Sequence, residues 1–263
     1  VFGQLAGSGN GSKALVGVTG VGAATVAGIL GIEPLDESLC LTSAVGELQP
    51  GLRTLIEMGR ESQKFILLER DAESGKVLLE DATFGHKCEA GTGSFFDHMY
   101  RRLNYASLEE FARVAYETEN PAALSGRCAV FTESDIVHLY QKGTSRERIA
   151  AGIHQAICRN YRAAIVRGRE PRPDIGLVGG VSCNPAVRKY LAEAFGFEEQ
   201  QILVPSHNRT LGAIGAALRA ETEVSLGEAR SRLAASASAR FEYPTTPPLR
   251  LVRSVCLTPT PQN

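Results

Sequence analysis

Three apolar segments of this chain each end at a glycine turn, and this pattern limits the folds that the chain can adopt. The turns follow Val18, Met58 and Val178. Apolar runs of this length predict buried strands. In α/β folds, glycine turns at the carboxyl ends of strands allow backbone N–H groups to approach a phosphate. We therefore expect an α/β fold with a ligand site at these turns.

The spacing of apolar residues, glycines and prolines predicts further strands and helices around the three turns. Asn184 and Pro185 are typical of a helix start, because asparagine caps the helix and proline needs no hydrogen bond in the first turn. Strands are predicted over residues 13–19, 55–58, 65–69, 76–84, 175–178 and 202–204. Helices are predicted over residues 23–30, 94–103, 108–116, 133–142, 145–166, 185–195 and 211–220.

The composition narrows the classes of function. Of the 263 residues 43% are hydrophobic and 22% are charged, with a net charge of −1, so the basic surface of a nucleic-acid-binding protein is not expected. No apolar stretch has the length of a membrane span, and no signal-peptide pattern opens the chain. Six cysteines without such a signal fit a reducing compartment, and we expect a cytoplasmic protein.

Two cysteines, Cys88 and Cys128, lie beside glycine-marked loops that lead into predicted helices. A thiolate at a helix N-terminus is stabilised by exposed N–H groups and by the helix dipole, as is an anionic cluster. A cubane iron–sulfur cluster needs four thiolates, which a symmetric dimer of this chain could supply. The alternative is that both cysteines are small buried hydrophobic residues, since the chain contains no Cys-x-x-Cys motif.

The same segments resemble those of a known family, the ATP-dependent activators of 2-hydroxyacyl-CoA dehydratases, which includes the ATP-binding subunits of benzoyl-CoA reductase. The similarity runs in order through residues 13–219. The segments that carry it are Cys88–Phe96 and Arg127–Asp135 for the cluster, Ile56–Ile66 for phosphate, Gly179–Asn184 for adenosine and Leu211–Leu218 as the closing helix.

The resemblance implies an actin-like and Hsp70-like ATPase fold of the ribonuclease H type. It also implies a homodimer that shares one 4Fe–4S cluster through Cys88 and Cys128, uses ATP and ADP with Mg²⁺, and passes an electron to a partner acyl-CoA dehydratase or reductase. A ferredoxin or flavodoxin would supply that electron. The nucleotide-binding residues implied are Gly59, Glu61, Ser62, Lys64, Gly91, Thr92, Gly93, Gly179, Gly180 and Asn184.

The resemblance also divides the chain into four parts. Residues 1–54 would be a remnant of the first actin-like subdomain, and residues 55–204 a second subdomain with the cluster and nucleotide loops. Residues 205–222 would form a helix that returns to the first subdomain. The Ala-, Ser- and Pro-rich residues 223–263 are expected to be a linker or a disordered tail.

Two departures from the family pattern concern the phosphate segments. No strand with an Asp-x-Gly-Ser-Thr loop precedes Lys13, so we expect the chain to lack the strand of the first phosphate loop and to be part of a longer protein. Gly59-Arg60-Glu61-Ser62 stands where the family has Gly-Gly-Gln-Asp. The sequence names no catalytic residue. The alternatives are a non-redox phosphotransferase of the same fold and a binding module that has lost hydrolysis.

Overall fold

The computed structural model describes residues 12–85, 93–125 and 129–238. Its strands are β1 Lys13–Leu15, β2 Thr54–Met58, β3 Gln63–Arg70, β4 Val77–Gly85, β5 Ile175–Val178, β6 Ile202–Leu203 and β7 Glu223–Ser225. Its α-helices are α1 Ala23–Leu30, α2 Glu37–Leu48, α3 Gly93–Arg102, α4 Leu108–Glu117, α5 Ala129–Gln141, α6 Arg146–Tyr161, α7 Pro185–Phe195, α8 Leu211–Leu218 and α9 Leu226–Ser238.

A mixed five-stranded sheet in the order β4-β3-β2-β5-β6 forms the centre of the fold. The β2–β3 and β3–β4 pairs are antiparallel, whereas β5 runs parallel to both β2 and β6. Because β2 and β5 are parallel neighbours, their carboxyl ends lie at the same edge of the sheet. The turns after Met58 and Val178 therefore meet, as the sequence predicts.

Side chains on the two faces of the sheet enter two separate hydrophobic cores. Ile56 and Phe65 point to the face covered by α3, α4, α6 and α7. Leu55 and Ile66 point to the opposite face, which α2 and α8 cover. The alternation follows from the two-residue repeat of a strand, and a sheet covered on both faces is typical of α/β proteins.

Most predicted elements are confirmed, and three have exact bounds. Helix α1 and strand β5 match residues 23–30 and 175–178, and α7 begins after its cap Asn184 and ends before Gly196. Helix α2 was not predicted. Helix α5 begins at Ala129, four residues before the predicted start, and α6 continues as a π-helical turn over Arg162–Val166.

Residues 223–238, where the sequence predicts a linker or a disordered tail, form strand β7 and helix α9 in the structure. Strand β7 pairs with β1 in an antiparallel two-stranded sheet, and α9 packs against α1. The segment is rich in alanine and arginine, which are strong helix formers, and Ala229 is buried. Residues 239–263 lie outside the described residues, and the division of the chain into four parts stays a prediction.

Candidate nucleotide site

A buried lysine and two carboxylates lie at the carboxyl end of β2. Glu57 and Lys64 are partners across the β2–β3 ladder, and the Lys64 Nζ donates to Glu57 Oε2 at 3.0 Å. The same Nζ lies 2.8 Å from Glu37 Oε2, at the start of α2, and 3.2 Å from Ser62 Oγ. Lys64 thus connects the sheet, its turn and helix α2 through one ammonium group.

Burial and the neighbouring charges shift the pKa values of Glu57 and Lys64 in opposite directions. Burial raises the pKa of Glu57, although Lys64 partly offsets the effect. Burial lowers the pKa of Lys64, but attraction to Glu57 and Glu37 outweighs it, so the net pKa of Lys64 is raised. Lys64 therefore stays a cation at neutral pH. A charge buried at this depth is tolerated only when it is paired, which the two carboxylates achieve.

Two glycine turns converge on Glu57. Gly59 opens the turn after β2, its N–H donates to the carbonyl of Ser62 at 2.9 Å, and a Cβ there would lie 2.8 Å from Glu57 Oε1. Gly179 follows β5 with φ of +87°, and a Cβ there would lie 2.3 Å from the Met58 carbonyl oxygen. Only glycine allows the two turns to approach each other this closely.

Two cavities open beside these turns. The first, of about 310 Å³, is lined by Glu37, Glu57, Gly179, Asn208, Arg209 and the Gly17–Gly20 segment, among others. The second, of about 330 Å³, has an apolar wall formed by Phe96, Leu108, Ala112 and Val181. Its charged lining residues are Arg60, Asp97, Glu109 and Arg209.

The two cavities adjoin at the Gly179-Gly180 loop. Gly179 lines the first cavity, Gly180 lines the second, and Arg209 lines both. The first is bordered by glycines and by the paired charges around Lys64, and the second by apolar side chains. This arrangement suits a ligand with an anionic part and a flat, largely apolar part, as a nucleotide has.

The first turn of α3 is hydrogen-bonded to the Gly59–Ser62 turn. The N–H of Gly93 donates to the Gly59 carbonyl, and the N–H and Oγ of Ser94 both donate to the Arg60 carbonyl, each at 2.9 Å. A Cβ on Gly93 would lie 3.1 Å from the Arg60 Cα. The turn and the helix that follows the Cys88 segment therefore form one hydrogen-bonded unit.

The structure brings together most of the predicted site residues that it describes. Gly59, Ser62, Lys64 and Gly179 surround Glu57, while Gly93 and Gly180 line the second cavity. Glu61 is exposed on the turn. The predicted residues Cys88, Gly91, Thr92 and Cys128 lie outside the described residues.

Asn184 lines the second cavity, but its amide group is already bonded within the protein. Its Oδ1 accepts from the N–H groups of Ala186 and Val187, and its Nδ2 donates to Nε2 of the buried His154 at 3.0 Å. His154 donates from Nδ1 to the Ala150 carbonyl, and burial lowers its pKa to about 4. Asn184 therefore connects the Gly179–Asn184 loop to α6, and its part in nucleotide binding stays a prediction.

Sequence reasoning did not identify Glu57, Glu37 or Arg209 as site residues. Glu57 lies inside an apolar run, and a carboxylate in a buried strand with a lysine just beyond the next glycine turn is a signal of an internal ion pair. Glu37 follows Asp36, which caps α2 with a hydrogen bond to the Leu39 N–H. Nothing in the sequence near Arg209 marks it, because its position depends on the fold.

The described cysteines do not form a metal site. Cys40 and Cys158 are buried, burial raises the pKa of both thiols, and Cys183 is exposed in the second cavity. Among residues 12–85, 93–125 and 129–238, no group of three or more His, Cys, Asp or Glu side chains is placed to hold a metal ion. No helix in this part of the chain is both long and apolar enough to cross a membrane.

Comparison with known proteins identifies the group to which these features belong. The family model described as "BadF/BadG/BcrA/BcrD ATPase family" matches residues 8–220. The chain belongs to this family. It is 31% identical over 186 residues to the activator of lactoyl-CoA dehydratase of Anaerotignum propionicum, covering 71% of this chain and 68% of that protein. It is 30% identical over 207 residues to the (R)-2-hydroxyglutaryl-CoA dehydratase activating ATPase of Acidaminococcus fermentans, covering 77% and 73%.

Solved structures of family members have the same fold. The crystal structure of the Acidaminococcus fermentans (R)-2-hydroxyglutaryl-CoA dehydratase component A matches with a TM-score of 0.65 and 29% identity, over 81% of this chain and 75% of that one. The activator of the 2-hydroxyisocaproyl-CoA dehydratase from Clostridium difficile, with bound ADPNP, matches with a TM-score of 0.62 and 26% identity, over 80% and 72%. This BadF/BadG/BcrA/BcrD family member thus has the α/β, actin-like ATPase fold that the sequence predicts.

Proposed function

We propose that this chain is an ATP-dependent activator that donates a low-potential electron to a partner acyl-CoA dehydratase or reductase. Relatives named as activators of 2-hydroxyacyl-CoA dehydratases, and one named as a component of benzoyl-CoA reductase, support the class of partner. The observation that carries the proposal is the hydrogen-bonded unit formed by the Gly59–Ser62 turn and α3. It joins the candidate nucleotide site to the helix that follows Cys88.

Each of the two cavities is suited to a different part of the nucleotide. The apolar wall that includes Phe96 and Val181 is suited to the adenosine, and the glycine turns at Gly59 and Gly179 leave room for the phosphates. Arg209, which lines both cavities, supplies positive charge to this space. Glu57 and Glu37 are carboxylates of the kind that bind the Mg²⁺ of a nucleotide, either directly or through water.

We place the cluster on Cys88 and Cys128, because their segments resemble the cluster-ligand segments of the family. Thiolates are the usual ligands of iron–sulfur clusters, and the buried thiols Cys40 and Cys158 have raised pKa values that keep them protonated. Two cysteines from each copy of a homodimer would supply four ligands. When bound, the cluster would hold one electron at low potential, received from a ferredoxin or flavodoxin.

The chain's own residues would link nucleotide binding to the cluster side of the molecule. Glu57 and Glu37 would exchange part of their pairing with Lys64 for the Mg²⁺ of the nucleotide, and this would favour a shift of the Gly59–Ser62 turn, whose Ser62 Oγ also contacts Lys64. Because Gly93 and Ser94 donate to carbonyls of that turn, α3 would follow it. A ligand can shift such an equilibrium only by its difference in affinity for the two arrangements, so ATP and ADP must bind them unequally.

Iron and acid-labile sulfide per dimer, measured on protein purified without oxygen, test the proposal. We expect about four of each per dimer, as one shared 4Fe–4S cluster requires. Cys88→Ser should remove them, whereas Cys183→Ser, which changes an exposed cysteine of the nucleotide cavity, should retain them. Folded dimer without iron would contradict the electron-transfer function. ATP turnover in that protein would then favour a phosphotransferase, and tight ATP binding without turnover a binding module.

A further inference from the structure

Arg60 lies at the junction of the turn, helix α3 and the second cavity. Its carbonyl accepts two hydrogen bonds from Ser94, and its guanidinium Nη2 lies 3.6 Å from Asp97 Oδ2, one turn further along α3. The Arg60 side chain is 74% exposed and the Asp97 side chain 31%. Its backbone is thus held in place while its guanidinium extends into solvent at the cavity.

The Arg60–Asp97 ion pair is weak and easily exchanged. The separation of 3.6 Å is longer than that of a charge-assisted hydrogen bond, and an exposed pair gains little from its attraction. A phosphate group offers a guanidinium two oxygens in a geometry that matches its fork of N–H donors, and carries more charge than Asp97. An anion that reaches this position would therefore displace the carboxylate.

Arg60 lines the second cavity close to where it adjoins the first, so a ligand that occupies both cavities would pass near it. Gly59 and Gly179 both border Glu57 Oε1. Glu57 and Gly179 line the first cavity, and Arg60 and Gly180, which follow Gly59 and Gly179 in the chain, line the second. Arg209 lines both cavities from another loop. The phosphates of a nucleotide that spans the cavities would lie where the cavities adjoin, close to Arg60 and Arg209.

We infer that the Arg60 guanidinium leaves Asp97 and pairs with the phosphates when a nucleotide binds. This exchange breaks one of the contacts between the Gly59–Ser62 turn and α3. The inference rests on the proposed function, since it takes ATP as the ligand of the two cavities. The other charged groups lining the second cavity are Glu109 and Arg209. Arg60 is thus both a binding residue for phosphate and a link between the nucleotide and the helix that follows Cys88.

If Arg60 exchanges Asp97 for phosphate, substitutions of Arg60 and of Asp97 should change the affinity for Mg-ATP in opposite directions. Arg60→Ala should weaken the binding of Mg-ATP about tenfold or more, because a charge-assisted contact to phosphate is lost. Asp97→Asn should tighten the binding of Mg-ATP about two- to fivefold, because the competitor for Arg60 is removed. Arg60→Lys should lie between the wild type and Arg60→Ala, since lysine keeps the charge but not the fork.

Isothermal titration calorimetry of the whole chain with Mg-ATP, and with adenosine in competition, measures these effects. Arg113→Ala and Glu117→Gln are matched controls, because they break an exposed ion pair on α4 outside the site and should leave binding unchanged. Adenosine affinity should change much less than Mg-ATP affinity in the Arg60 and Asp97 variants, because adenosine carries no phosphate. Weaker ATP binding in both Arg60→Ala and Asp97→Asn would indicate a structural role and overturn the inference, as would unchanged binding in Arg60→Ala. Absence of ATP binding in the wild type would instead overturn the proposed function itself.

Discussion

The ammonium group of Lys64 contacts Glu57 on the sheet, Glu37 on α2 and Ser62 in the turn. Its loss is therefore expected to lower the stability of the fold strongly. Replacing it by methionine keeps most of the side-chain volume but leaves Glu57 buried without a cation. Glu37 can turn toward solvent, because its side chain is 26% exposed. Loss of one partner of a buried ion pair costs about 3–5 kcal/mol, which is the decrease in unfolding free energy that we expect for Lys64→Met at pH 8.

The pH dependence of this loss follows from Glu57. In the variant its folded-state pKa is above its unfolded value, because burial raises it and no cation opposes the effect. Such a group stabilises the fold below its unfolded pKa, and this stabilisation is lost as pH rises through the folded pKa. Urea unfolding should therefore show a smaller deficit at pH 5 than at pH 8. Lys13→Met, which breaks the exposed pair with Glu223, should have little effect at either pH; an equal deficit in the two variants would contradict this assignment.

The sequence suggests that Glu57 and Lys64 are close, but only the pairing of β2 with β3 in the structure shows that they are direct neighbours. Glu57 and Lys64 flank a four-residue glycine turn between two apolar runs, which is the pattern of a hairpin with one internal pair. Glu37 could not be joined to them from the sequence, since it belongs to another helix and reaches Lys64 through tertiary packing. The same holds for Arg60 and Asp97, whose contact depends on how α3 meets the turn.

At the scale of elements, helices α2 and α8 approach each other closely enough that only glycine fits at one position. A Cβ on Gly215 would lie 1.7 Å from the Cys40 carbonyl oxygen, whereas a Cβ on Gly212, one turn earlier, would first meet Thr19 Cγ2 at 3.8 Å. Gly215→Ala should therefore force the helices apart and lower the unfolding free energy by about 1–3 kcal/mol, as overpacking does. Gly212→Ala should raise it by roughly 0.5–1 kcal/mol, because alanine favours a helix.

The comparison of these two variants by urea unfolding separates close packing from helix propensity. Both replace a glycine of α8 by the same residue, so propensity alone predicts the same stabilisation in each. Equal stability of the two variants would show that α2 and α8 can separate without cost. The sequence predicted α8 from its small residues but missed its partner α2, whose alanine, serine and threonine give little amphipathic contrast. Only the packing identifies Gly215 as the contact position.

At the scale of the whole molecule, the segments near the two ends of the described chain depend on each other. Strand β1 pairs with β7, and the N–H groups of Val16 and Leu226 extend the pairing by donating to the carbonyls of Thr222 and Ser12, each at 3.0 Å. The guanidinium of Arg232 on α9 donates to the carbonyl of Leu30 at the end of α1. Isolated two-stranded sheets are marginally stable in water, so this unit depends on the packing of α1 with α9.

Two truncations test whether β1 and α1 depend on residues 223–238 or whether these residues are a linker, as the composition suggests. A chain ending at Ser238 keeps β7 and α9, and it should retain the hydrogen-exchange protection of the β1 and α1 amides. A chain ending at Thr222 removes the ladder partners of β1 and the contact of α9 with Leu30, which is buried in the intact chain. It should exchange these amides at least tenfold faster, since local opening then breaks few contacts. The amides of β2 and β5 should be unaffected in both chains, because their sheet and its two cores are formed by residues 41–214, which both chains keep. Unchanged protection of β1 after the shorter truncation would mean that residues 223–238 act as a linker after all.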